Sequence, residues 1–167
     1  MIGEDIGVAG HIHSVSVTEP IDPVLPILVQ HAAGGLTLKQ TKAGTMLIGG
    51  GWGGVYDAKK RKAWASREGI SAGADLAQRI LPSLTGVNIV RSWGGVIART
   101  RNGQPVIGEV PEVPGFYVAV VPSGSAGFTV APTVGRLVAE AIVEKRAVSE
   151  FSGYAPARAG TRMRAAQ

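Results

Sequence analysis

Ser123-Gly124-Ser125-Ala126-Gly127 is the stretch whose residue types could do the most chemistry. It stands between an apolar run, Phe116 to Val121, and an apolar stripe at helical spacing made by Val134, Leu137, Val138, Ala141 and Ile142. At a corner between a strand and a helix, unpaired backbone N–H groups converge with the positive end of the helix dipole. Such a corner attracts anions, and a flat, electron-rich carbonyl edge or a phosphate would suit it equally well. Glycine lets a ligand come close to the backbone. The plain alternative is an ordinary tight turn. The same residues nearly spell the serine-hydrolase elbow Gly-x-Ser-x-Gly around Ser125. Ser123, however, takes the first glycine position, and His11, His13 and His31 all precede the serine, the reverse of the order in α/β hydrolases.

Three other constellations carry less. Gly49-x-Gly51-x-x-Gly54 matches a dinucleotide fingerprint literally, but Tyr56-Asp57-Ala58 leads straight into Lys59-Lys60-Arg61-Lys62 instead of an apolar helix. A mobile loop is the better expectation. His11 and His13 would share one face of a strand, as two metal ligands could, yet the chain has no cysteine and its nearest carboxylates, Glu4 and Asp5, lie at the extreme N-terminus. No metal site is expected. Trp52, Trp64 and Trp93 read first as core or interface residues.

Composition narrows the field. A chain of 167 residues with 45% hydrophobic and 17% charged residues can bury one core, and is expected to fold as a globular unit. The absence of cysteine excludes disulfides and thiolate chemistry and fits a reducing compartment, so a cytoplasmic location is the expectation. No apolar run reaches the roughly 20 residues of a membrane helix. The net charge of +5 comes largely from Lys59 to Lys62 with Arg67, and from Arg158, Arg162 and Arg164. These short runs lack the stacking aromatics or reading module of a nucleic-acid surface, so a solvated loop and tail are expected, with no nucleic-acid partner.

The elements that must position these residues follow from periodicity. His11 to Thr18 alternates as a strand does and is stopped by Glu19-Pro20, after which Asp22-Pro23 and Pro26 pin an extended connection. Leu36 to Gln40 and Thr45 to Ile48 are strands joined by a hairpin turn at Lys42-Ala43-Gly44. Gly49 to Gly54 is expected to be a flexible loop. Ile70, Ala74, Ala77, Ile80 and Leu81 make an amphipathic helix ending at Pro82. Asn88 to Ala98 is a strand in which Gly94-Gly95 marks a bulge or a close backbone approach, Arg101 to Gln104 is a turn, and Pro105 to Ile107 is extended. Phe116 to Val121 reads as a strand buried on both faces of a parallel sheet, and a helix follows from about Thr129.

The order of motifs carries a resemblance. Val17-Thr18-Glu19-Pro20, Leu47-Ile48-Gly49-Gly50, Ser92-Trp93-Gly94-Gly95, Asn102 to Gly108, Gly115 to Ala119, Ser123 to Gly127 and Ala131 to Leu137 occur in the order of the D-amino-acid-oxidase-like flavoproteins. From about residue 10 to residue 145 the chain resembles that family. It is most similar to the branch with sarcosine oxidase β, proline dehydrogenase β and opine oxidase subunits.

The resemblance implies an α+β chain. An antiparallel substrate-domain sheet with a helix would occupy residues 1–100, and the last strand and helix of an incomplete FAD-binding α/β domain residues 101–145. Residues 146–167 would form a tail without stable order. The implied cofactor is FAD, with backbone amides of Gly124, Ser125, Ala126, Gly127, Phe128 and Thr129 at the flavin pyrimidine edge. The implied chemistry is hydride transfer to flavin from the carbon beside an amine, with sarcosine-, proline- or glycine-like substrates. By position, Trp52 would lie near the substrate and Trp93 and Gly95 close to flavin or substrate.

Where relatives that oxidise simple amino acids carry a carboxylate-clamping arginine, this chain has Ile97. Arg99, two residues on, points to the same side of a strand and is a candidate substitute. The resemblance also implies a partner, either a polypeptide supplying the N-terminal FAD half or a second copy. The alternative reading is a catalytically silent fragment that acts in self-association or partner binding.

Overall fold

In the computed structural model, which describes residues 6–122, 124–145 and 152–156, the first strand sets the frame for much of the chain. β1 (Val8–Pro20) buries Ile12, Ser14, Ser16 and Thr18 at alternate positions and leaves His11, His13, Val15 and Val17 half-buried. The hydroxyl side, and not the valine side, is therefore the inner one. Each hydroxyl is partnered: Ser14 Oγ donates to Gly53 O at 2.7 Å, Ser16 Oγ and Ser92 Oγ meet at 2.8 Å, and Thr18 Oγ1 accepts from Met46 N at 2.9 Å. Pairing spares each the penalty of about 1–3 kcal/mol for an unsatisfied buried polar group.

β3 (Leu36–Gln40) and β4 (Thr45–Gly50) form the expected hairpin, turned at Gly44 with φ +86 and closed by Gly44 N to Thr41 O at 3.0 Å. β2 (Val29–His31) arises inside the proline-pinned connection, where the sequence pattern shows no strand, and pairs with β3. β7 (Ile89–Thr100) completes a five-stranded sheet of order β2-β3-β4-β1-β7. The pairings β2 with β3, β3 with β4 and β4 with β1 are antiparallel. β7 also runs against β1, because Glu19 N meets Asn88 O at 3.0 Å while Arg101 N meets Gly7 O at 3.3 Å.

α1 (Arg67–Ile80) covers one face of this sheet. Leu36, Leu38, Met46, Ile48, Ala77 and Leu84 form its core cluster, with Leu76, Ile80 and Leu81 packed at the margin. Burial of each large aliphatic side chain contributes about 1.5–3 kcal/mol. The helix starts three residues before the apolar stripe, because Ser66 caps it. Ser66 has extended backbone, and its Oγ accepts from Gly69 N at 2.9 Å. A 3₁₀ turn, Pro82–Leu84, follows and ends the element as Pro82 predicts.

The glycine-rich segment corrects an expectation. It is no flexible loop: β4 continues to Gly50, His13 bridges to Gly53, and β5 (Gly54–Asp57) pairs antiparallel with β6 (Lys62–Ala65). The cations form the tip of this second hairpin, where Asp57 Oδ1 accepts from Lys60 N at 3.0 Å and Arg61 takes φ +51. Cross-strand alternation of Val55 with Trp64 and Tyr56 with Ala63 outweighs the glycines, which bring the backbones close.

Two compact units divide the chain, His11–Val96 and Met1–Gly10 with Ile97–Gln167. In the second, the turn at Arg101 to Gln104 is as expected, with Gly103 at φ +72 and Asn102 Oδ1 accepting from Gln104 N at 3.0 Å. β8 (Val106–Glu109) and β9 (Tyr117–Val120) then form an antiparallel pair. Within the described residues β9 is thus not a strand buried on both faces of a parallel sheet. Val118 is its one buried residue, and Phe116 beside it is exposed. The reason is local. Gly115 N donates to Glu109 Oε1 at 2.6 Å and Val110 N to Phe116 O at 2.8 Å, which folds the intervening turn back on itself.

α2 (Gly124–Glu144) starts five residues earlier than expected, so Gly124 to Gly127 form its first turn and not a loop ahead of it. It continues through Pro132, which has no N–H to offer the Phe128 carbonyl. Leu137 and Ala141 pack against Tyr117. Ser123 and most of the expected tail, including Arg158, Arg162 and Arg164, lie outside the described residues, as do Glu4 and Asp5. No helix among the described residues is long and apolar enough to cross a membrane.

Candidate functional site

The sheet in His11–Val96 has two unlike faces. Ser16 meets Ser92 across β1 and β7, so Ile12, Ser14, Ser16 and Thr18 share a face with Ser92 and Gly94. The contacts of α1 and of the β5–β6 hairpin fall on that face. A Cβ on Gly54 would lie 2.5 Å from Ile12 Cγ2, and one on Gly94 would lie 2.6 Å from main-chain atoms of Trp64. Gly94 is therefore the close backbone approach that its sequence predicts.

The same knot binds three elements at one carbonyl. Gly53 O accepts from Ser14 Oγ and from Ser66 Oγ, both at 2.7 Å, while Ser14 Oγ accepts from Ser66 N at 3.1 Å. Sequence reasoning gives these serines no role. The signal available is the run of serine and threonine at alternate positions of β1, an odd choice for an inner face unless each finds a partner.

By alternation, the other face carries His13, Val15 and Val17 on β1, Thr37 on β3 and Arg91, Trp93 and Gly95 on β7. His11 and His13 agree with this parity, with ring centroids 5.1 Å apart and edge to face. Arg91 Cζ lies 5.9 Å from the centre of the Trp93 ring, at the outer limit of a cation–π contact. A Cβ on Gly95 would meet nothing within 4 Å. This face thus carries imidazole, indole and guanidinium groups along β1 and β7, a set that suits a small polar ligand with an anionic end.

Of the residues expected near substrate, Trp93 and Gly95 belong to this face. Trp52 does not: its indole lies at Gly73 of α1, where a Cβ would stand 3.2 Å from Nε1, and near Ile48, on the helix-covered side. Trp52 Nε1 is buried and has no hydrogen-bond partner among the described residues. Trp52 O anchors β1 instead, accepting from Ser14 N at 2.8 Å. Arg99 is exposed on β7 and belongs to the other compact unit.

The corner expected to take an anion lies in that unit. Gly124, Ser125, Ala126, Gly127, Phe128 and Thr129 are consecutive residues at the N-terminal end of α2, separated from β9 by Val121, Pro122 and Ser123. The first backbone N–H groups of a helix have no intrahelical acceptor, so those of this glycine-containing turn are directed outward with the positive end of the dipole. Gly127 leaves room, since a Cβ there would lie 3.6 Å from Val121 O. Phe128 is 90% exposed. These residues fit an electron-rich ring edge held by main-chain donors. The Ser125 side chain, on which a hydrolase reading depends, lies outside what is described.

A surface depression of about 600 Å³ bounded by Ile21, Pro23, Leu25 and Gln40 is structural. Gln40 Oε1 accepts from Val24 N and Leu25 N at 2.8 and 3.0 Å, and its Nε2 donates to Asp22 O at 2.9 Å and Gly44 O at 3.1 Å. The side chain is fully engaged in holding the proline-rich segment to the hairpin. No group of three His, Cys, Asp or Glu among the described residues is placed to hold a metal.

Comparison with known proteins bears on both regions. The family model described as DAO, FAD dependent oxidoreductase, matches residues 3–141. The chain is 27% identical to the beta subunit of sarcosine oxidase from Rhodobacter capsulatus over 84% of its own length and 31% of that protein's. It is 30% identical to the B subunit of opine oxidase from Agrobacterium tumefaciens over 86% of its own length and 35% of that protein's. Among solved structures, L-proline dehydrogenase from P. horikoshii superposes with a TM-score of 0.78 at 30% identity, covering 94% of this chain and 41% of that one. The chain thus spans about a third of the curated relatives it matches.

Proposed function

Because the chain belongs to the DAO family of FAD dependent oxidoreductases, we propose that it is the substrate-side portion of a flavoenzyme that oxidises the C–N bond of an amine or amino acid. The observation that carries this reading is the pairing of family membership with a sheet face, opposite α1 and the β5–β6 hairpin, that carries Arg91, Trp93 and His13 and has open space beside Gly95 among the described residues. Relatives named for sarcosine, opine and proline support an amine substrate of that size. Sarcosine, glycine and proline are the first substrates to try.

FAD, when bound, supplies the acceptor for a hydride from the carbon beside the amine. Backbone N–H groups of Gly124 to Gly127, with Phe128 and Thr129 behind them, would hold the flavin pyrimidine edge. Aligned donors and the α2 dipole favour negative charge at that edge, and so favour the reduced state. On the sheet face, Trp93 offers an apolar wall and Gly95 the space beside it, so the chain's own contribution is to bind and orient the amine and to limit water around it. A further polypeptide, either a separate chain or more of the same one, would complete the FAD site; two of the relatives are named as subunits.

Mixing the chain with a candidate FAD-binding half and FAD should restore a flavin absorption spectrum that an amine substrate bleaches anaerobically. A flavin complex that no amine, imino acid or amino acid reduces would overturn the reading.

A second reading has one observation in its favour. On α2, Phe128 and Val143 are 90% and 80% exposed and Ile142 is 50% exposed, an apolar surface that suits self-association or a protein partner without catalysis. Light scattering distinguishes them. A monodisperse monomer that still completes a flavin site supports the first reading and removes the second.

A further inference from the structure

We propose that Arg91 is the specificity-determining residue for an anionic substrate group, taking the carboxylate that Ile97 cannot bind; the assignment rests on the amine-oxidising reading above. Three observations carry it. First, β7 alternation puts Arg91, Trp93 and Gly95 on the sheet face left free by α1 and the β5–β6 hairpin. Second, Arg91 Cζ is 5.9 Å from the Trp93 ring centre, and beyond Trp93 on the same strand a Cβ on Gly95 would meet nothing within 4 Å. Residues 91 and 95 are about 13 Å apart along a strand, a gap that an arginine side chain and a short amino acid together span. Third, Arg91 is exposed and pairs with no carboxylate among the described residues, unlike Arg79 and Arg136, which are bonded to Asp75 and Glu140.

The chemistry is specific to arginine. A guanidinium carries a planar fork of donors that matches the two oxygens of a carboxylate, and the nearby indole leaves that fork free to bind it. The indole offers no acceptor to compete for those donors. A neutral amine would gain nothing from Arg91, whereas an amino acid would be held by one end with its C–N bond over the space at Gly95. Arg91 is thus a second candidate for the carboxylate beside Arg99, on the opposite side of Gly95 along β7.

The test reads the binding group directly. In the ¹⁵N-labelled 167-residue chain, the Arg91 Nε–H and Trp93 Nε1–H signals should shift saturably with acetate and not with acetamide, at constant ionic strength. Arg91→Gln should weaken the acetate response about ten- to hundredfold, the loss of charge-assisted hydrogen bonds, while signals elsewhere show the fold unchanged. Arg91→Lys should retain part of the response, because charge remains and the fork does not. Shifts that survive in Arg91→Gln, or no saturable shift in the parent chain, would overturn the assignment. Because no flavin is needed, this outcome is separable from failure of flavin reconstitution. In a reconstituted enzyme, Arg91→Gln should raise KM for sarcosine and leave KM for its methyl ester unchanged.

Discussion

Leu38 and Phe128 are both large apolar residues in regular structure, yet Leu38 is fully buried beneath α1 while Phe128 is 90% exposed on α2. The contrast extends to the two compact units. In His11–Val96, six buried residues on two strands, a helix and a 3₁₀ turn enclose one another and recruit six more at the margin. In the unit with α2, Leu137 and Ala141 find Tyr117, and much of the remaining apolar surface of the helix faces outward. The first region draws its stability from its own side chains. The second buries Val106, Ile107, Val110 and Val118 around its hairpin but leaves Phe128, Ile142 and Val143 of α2 exposed, so the same residue type meets different surroundings in each.

Four substitutions break or sharpen that contrast. Leu38→Ala removes the centre of the sheet core and should cost about 2–5 kcal/mol in chemical denaturation; a cost below about 1 kcal/mol would mean that the region is not held by this cluster. Ser14→Ala should cost about 1–3 kcal/mol, since Gly53 O loses one donor and Ser66 N its acceptor inside the fold. A double-mutant cycle with Ser66→Ala should show coupling, because both hydroxyls address the same carbonyl. Phe128→Ser should change stability by no more than about 0.5 kcal/mol, as surface changes do, while abolishing any association that depends on α2. A large loss of stability there would show that the exposed ring supports the fold after all.

What can be read from sequence divides along physical lines. The β3–β4 hairpin, α1 and β7 are legible because turn chemistry and apolar periodicity agree at each. The β5–β6 hairpin is not, since Gly49 to Gly54 looks like a breaker when the strand across from it is unknown; Gly54 serves close approach to Ile12 and to the main chain of β6, and Gly50 to the main chain at Gly35. The start of α2 is hidden for the same reason, as glycines in a first helical turn resemble a loop. In the candidate site, Trp93 and Gly95 are legible through ordered motifs. Trp52 is drawn toward substrate by position alone, although its side depends on whether Ser16 or Val15 faces inward. Alternation alone puts Arg91 beside Trp93, but which face of the sheet they share rests on one tertiary contact, Ser16 with Ser92, that the sequence does not show.

Gly94 has a consequence for how the pairing is kept in register. With Trp64 main chain crossing where a methyl group would stand, that position admits hydrogen and nothing larger. If β7 slid by one residue along β1 so that Trp93 took this place, its indole would be driven into the crossing strand, and the sheet misaligned in that direction could not close. The smallest residue in the sheet thereby acts as a detent against slippage, and it is what keeps an arginine and a tryptophan turned outward together.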